Sequence, residues 1–374
     1  MSDSWLPEHQ EHALYTAAHI DAQILRLGQI LHPYLAADPL KLAQRLTPTT
    51  EEVVLASIAP LPQAVPRLFA DALNQTRNLM EHCLFAEVES QLGRDLDRKE
   101  AALIEVPAKL SAEEFDAWAS DKRRRPLGVF VRGSELYERL HRLQPFHRRD
   151  VDMHPLRRLA EHTNFAKHRE PSVTLTRVGR VDLEDGSHMA LRAGEQQVAE
   201  VGSVLASVPR GTKMGVSIWP EVVVRRPHTG TVYTLMHEVG QLEEWVREQA
   251  VPILVRGSTD LPKIPPNLDL SRGYASFSDA WNAASRDVAH TRLTRRMAGE
   301  GVRRDLLEML AESYGDDKRT AFAGWLSTLD ESEVLALFAP VGEAALRGDH
   351  ATIEHHLQLW RERAGVAIDA DSAR

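Results

Sequence analysis

Apolar positions along the chain fall into distinct regimes. From about residue 9 to 32, Leu14, Ala17, Ile20, Ile24, Leu27, Ile30 and Leu31 recur at the spacing of one helix face, and His32-Pro33 ends the pattern. A shorter helix is predicted from Pro39 to Leu46, and Thr50-Glu51-Glu52 opens another short segment ending near Pro60 to Pro66. A long helix follows from about Pro66 to Leu92. Between Leu103 and Phe130 the period is lost, with strand-like Leu103 to Val106 and Val129 to Val131 around a short helix at Ser111 to Ser120. This stretch reads as an excursion between two helices. Helical spacing returns from Ser134 to Leu143, breaks at Gln144-Pro145 and resumes from Pro155 to about His168.

From Ser172 the period becomes two. Val173 to Val178, His188 to Arg192, Gly215 to Ile218 and Glu221 to Val224 are separated by Gly, Pro and Asp, which predicts a small β region. A helix from about Thr234 to Val255 closes it, and Pro262, Pro265 and Pro266 predict a linker. Helical stretches then follow at roughly 276–298, 301–314, 317–328, 331–347 and 350–364. The fourth is entered through Asp330-Glu-Ser-Glu333, a capping-box variant, and the tail from Ile368 is expected to fray. The fold class is therefore mainly α with an added β region (α+β). Three parts are expected: a helical domain over 1–170 with the excursion at about 93–133, a β-rich region over 171–256, and a linker with a helical bundle over 257–374.

Composition narrows the function. With 374 residues the chain exceeds one ordinary core, and 43% hydrophobic with 26% charged residues is a globular balance. The start lacks the basic and apolar regions of a signal peptide, and no stretch approaches the roughly 18 apolar residues of a membrane span, so a cytoplasmic protein without a membrane partner is expected. Cys83 is the only cysteine, which excludes an internal disulfide. A formal charge of −9 argues against coating nucleic acid by bulk attraction. Any RNA contact should be local, and arginine clusters do occur at Lys122 to Arg125, Arg148-Arg149, Arg157-Arg158, Lys167 to Arg169 and Arg225-Arg226.

The sharpest chemical signal lies on the long helix, at Arg77-Asn78-Leu79-Met80-Glu81-His82. At about 100° per residue, Phe69, Leu73, Leu79, Met80, Cys83 and Leu84 make one broad apolar face, and Arg77 falls inside it within about 20° of Leu84. A guanidinium there must snorkel, pair or bind something, because it cannot shed its charge. His82 lies about 140° from Arg77, so one helix does not stack the two side chains. Two copies packed on this helix would bring both pairs into one cleft and give Phe85 an apolar surface, hence an expected homodimer. The bland alternative is an Arg77 salt bridge to Glu81 or Glu87 beside a surface histidine. His237-Glu238 lacks the second histidine of a zinc-protease motif, Gly211-Thr-Lys213 is no P-loop, and His154, His162 and His168 match no zinc spacing, so no metal or cofactor is expected.

Together with Leu143-Gln-Pro-Phe146, His154-Pro-Leu156 and Leu159 to Arg169, the Asp71 to His82 segment resembles a group of uncharacterised bacterial and phage proteins, over roughly residues 10 to 255. The first block is also similar to the RNxxxH site of the HEPN ribonuclease superfamily. The resemblance implies that Arg77 binds phosphate, Asn78 shapes the site and His82 is catalytic, with Lys167, His168 and Arg169 contacting RNA. One departure is Ala166, where the second block usually carries aspartate. The expectation is a metal-independent endoribonuclease, a toxin or anti-phage effector acting on RNA, restrained by its own bundle or by an antitoxin-like partner. The alternatives are a non-catalytic module that binds a nucleotide or protein or dimerises, and a protein in which Arg77 closes a structural salt bridge.

Overall fold

The computed structural model describes residues 4–168, 174–183, 188–189, 200–212, 215–312 and 316–365. The first helix, α1, covers His12–Ala36, past the predicted stop at Pro33. Asp38 then takes a positive φ of 50°, which a short polar side chain tolerates, and turns the chain ahead of Pro39. The helical structure expected over the next stretch does not form. Leu40–Leu46 and Thr50–Ile58 are not helical but form β1 and β2, an antiparallel hairpin paired from Leu40↔Ile58 to Leu46↔Glu51. Thr47 closes its turn, accepting the Thr50 N–H on Oγ1 at 2.8 Å.

The long helix α2 covers Ala64–Leu92 and ends at Gly93 in the left-handed region. Short helices α3, Arg98–Ala101, and α4, Ala112–Ala119, lie in the excursion, both N-capped by side chains of Asp97 and Ser111. Neither Leu103 to Val106 nor Val129 to Val131 forms a strand; both run irregularly across the helical core, where Val106, Val129 and Phe130 are buried. Helices α5, Glu135–Arg142, and α6, Pro155–His168, follow as expected.

Strands β3, Thr174–Leu183, β4, His188–Met189, β5, Val204–Pro209, β6, Val216–Arg225, and β7, Val232–Thr234, complete two antiparallel sheets. One has the order β1-β2-β5 and the other β4-β3-β6-β7. Leu40, Leu55 and Leu205 of the first meet Val178, Val216 and Ile218 of the second in a satellite core. The expected strand at His188 to Arg192 falls partly outside the described residues. Helices α7, Leu235–Trp245, and α8, Val251–Arg256, are joined by a π-helical turn at Val246–Ala250. They pack with α1, α2 and α6 around the main core.

The segment expected to be a linker is built into that core. Ile264 is buried, its carbonyl accepts from Arg247 Nη1 at 3.1 Å, and the Pro262 carbonyl accepts from Trp5 Nε1 at 2.7 Å. Helix α9, Phe277–Ala283, adds Ala280 and Trp281. The chain accordingly divides into two compact units, residues 1–289 and 290–374, rather than the three expected parts. A β5 strand that pairs with β2, and a proline segment held by the core, place the division later than a composition-based reading does.

The second unit carries α10, Ala289–Ala311, α11, Asp316–Ser327, α12, Glu331–Leu346, and α13, His350–Arg363. Helix α10 runs unbroken through Gly299, where a Cβ would sit 3.0 Å from the Glu331 side chain; this glycine serves close packing rather than a helix break. The Asp330 capping box forms in both directions at 2.8 Å. Phe322, Leu326, Val334 and Trp360 centre a separate core. Among the described residues no helix is long and apolar enough to cross a membrane.

Candidate functional site

Of the three fates open to Arg77 on its apolar face, the structure selects pairing. Nε donates to Glu81 Oε1 at 2.6 Å, one turn on in α2, and Nη2 donates to the Val106 carbonyl at 2.5 Å. Glu81 completes the contact by accepting the Val106 N–H on Oε2 at 2.7 Å. One arginine and one glutamate thus satisfy both backbone groups of Val106, whose own side chain is buried. This Arg77–Glu81 clamp fastens the excursion to α2. It is also well shielded, the two side chains being 14% and 26% exposed. Arg77 Nη1 is buried without an acceptor.

Val106 leads directly into a second set of anchors. Glu105 Oε1 accepts from Trp118 Nε1 at 3.0 Å and from Arg124 Nη2 at 2.9 Å, while Arg124 Nε donates to the Leu103 carbonyl at 3.0 Å. Arg124 also stacks its guanidinium over Trp118, 4.6 Å from the ring centroid. Segment 103–106 therefore ties α2 to α4 and to the Lys122 to Arg125 run.

His82 points elsewhere. It is exposed, and its ring meets that of His12, at the start of α1, edge-on at 6.2 Å. Burial, with His82 and His9 nearby, lowers the His12 imidazole below its ordinary range, so it is neutral at pH 7. Asn78 is half-buried. Within one chain Arg77 and His82 occupy separate environments: the arginine faces the excursion and the histidine faces α1. Lys167 is exposed at the end of α6, the His168 side chain is not described, and Arg169 lies outside the described residues.

Sequence reasoning missed the most buried charge cluster. Glu238, set aside as part of an incomplete zinc motif, is fully buried on α7. It accepts from Arg158 of α6 at 3.1 and 2.5 Å and from Arg226 after β6 at 2.9 and 2.7 Å, with His162 Nε2 at 3.3 Å. Burial pushes its carboxyl upward, but these hydrogen bonds from His162, Arg226 and Arg158 prevail and hold it well below the carboxylate range. Arg226 additionally lies against the Tyr233 ring, 3.3 Å from its centroid. With both oxygens saturated by protein donors, this cluster locks helices to sheet. The sequence marked Arg158 and Arg226 only as members of arginine clusters, because the acid they share lies 80 and 12 residues away along the chain.

His154, another imagined ligand, instead caps α6: Nδ1 accepts the Leu156 N–H at 3.1 Å and the ring packs edge-on to Trp245. Burial, with Arg148 and His147 nearby, lowers it to about 4. Cys83 is enclosed on α2, and burial, with Glu87 beside it, raises its thiol far above the ordinary range. Comparison with family models, curated proteins and solved structures returned no match to this chain.

Proposed function

We propose that the unit of residues 1–289 works by binding, as a non-catalytic HEPN-like module for a nucleotide or a protein, and that Arg77 has a structural role in it. The observation that carries this reading is the Arg77–Glu81 clamp on Val106. A guanidinium that neutralises a phosphate in a reaction must present its N–H groups to the substrate. Here Nε and Nη2 are committed to the chain itself, and exposing them would strand the Val106 carbonyl and release the excursion.

The test is a side-by-side incubation of wild type, Arg77→Ala and His82→Ala with total RNA and chelator, alongside thermal melts. The binding reading expects no cleavage by any of the three, a lower melting temperature for Arg77→Ala, and an unchanged one for His82→Ala. Chelator-resistant cleavage lost in His82→Ala would overturn it.

A second reading, the ribonuclease implied by the resemblance, is favoured by one observation. His82 and His12 place two imidazoles from different helices edge-on at an exposed position, one of them held neutral. Such a pair could move a proton from a ribose 2′-hydroxyl to a leaving oxygen without metal. That reading requires Arg77 to exchange its partners for phosphate, in a homodimer that brings the two α2 helices together.

A further inference from the structure

We draw no further inference here: the strongest candidate, the pair of imidazoles that His12 of α1 and His82 of α2 bring edge-on at 6.2 Å, belongs to the site already described, and among the described residues no third His, Cys, Asp or Glu joins it as a metal ligand.

Discussion

Replacing Arg77 by Ala removes two hydrogen bonds and leaves two groups behind. The salt bridge to Glu81 is shielded but not sealed, the side chains being 14% and 26% exposed, so its loss costs about 0.5–1 kcal/mol after screening. The Val106 carbonyl loses its donor beside a buried side chain, which costs about 1–3 kcal/mol. The sum is about 1.5–4 kcal/mol. For a unit of this size, about 2 °C per kcal/mol turns that into a fall of roughly 3–8 °C in Tm. Thermal unfolding followed by circular dichroism, at one fixed protein concentration, reads the change. His82→Ala, at an exposed position, serves as the control and should stay within about 0.5 kcal/mol of wild type. If Arg77→Ala melted with the wild type, or if His82→Ala proved equally costly, the clamp would not be holding the excursion.

Further expectations follow from the same contacts. Because His154 is held at about 4, the folded protein refuses a proton that the unfolded chain accepts near pH 6.5; stability is full above about pH 6.5 and falls as pH drops toward 4, by roughly 2 kcal/mol between pH 7 and 5. His154→Asn keeps an acceptor for the Leu156 N–H without titrating, so urea unfolding across pH 4.5–7.5 should show a shallower slope, and equal slopes would refute the assignment. Cys83 should resist a thiol reagent until the protein unfolds, since enclosure suppresses its thiolate; rapid modification of folded protein would contradict this. A chain ending at residue 289 should melt cooperatively. One ending at 256 should not, because it lacks Ile264, Leu268, Ala280 and Trp281 of the main core; matching melts would show those residues to be dispensable.

Local pattern carried much of the fold. The spacing over Leu14 to Leu31 and over Phe69 to Leu84 specified α1 and α2, and Asp330-Glu-Ser-Glu333 specified the cap of α12. The β1-β2 hairpin was illegible because β1 is an edge strand on which Leu40 alone is buried. Its sheet is completed by β5, far along the chain, so the alternation that reveals a half-buried strand is missing. Arg77 shows the same division. The apolar face announced that its charge needed a partner, and Glu81 at i+4 was a visible candidate. The Val106 carbonyl was not, since a backbone group in an irregular segment leaves no mark in the side-chain pattern. Likewise nothing local separates Arg124, buried against Trp118 and Glu105, from its exposed neighbour Arg125.

Whether Arg77 belongs to the structure or to a ligand is most directly decided by a double-mutant cycle. Wild type, Arg77→Met, Glu81→Gln and the double variant are unfolded in urea under one buffer condition, and the interaction is the departure of the double variant from the sum of the singles. The clamp predicts a favourable coupling of about 0.5–1 kcal/mol, the value of the partly screened salt bridge between the two side chains. A coupling of zero within error would contradict it, leaving the Arg77 guanidinium free for a bound phosphate.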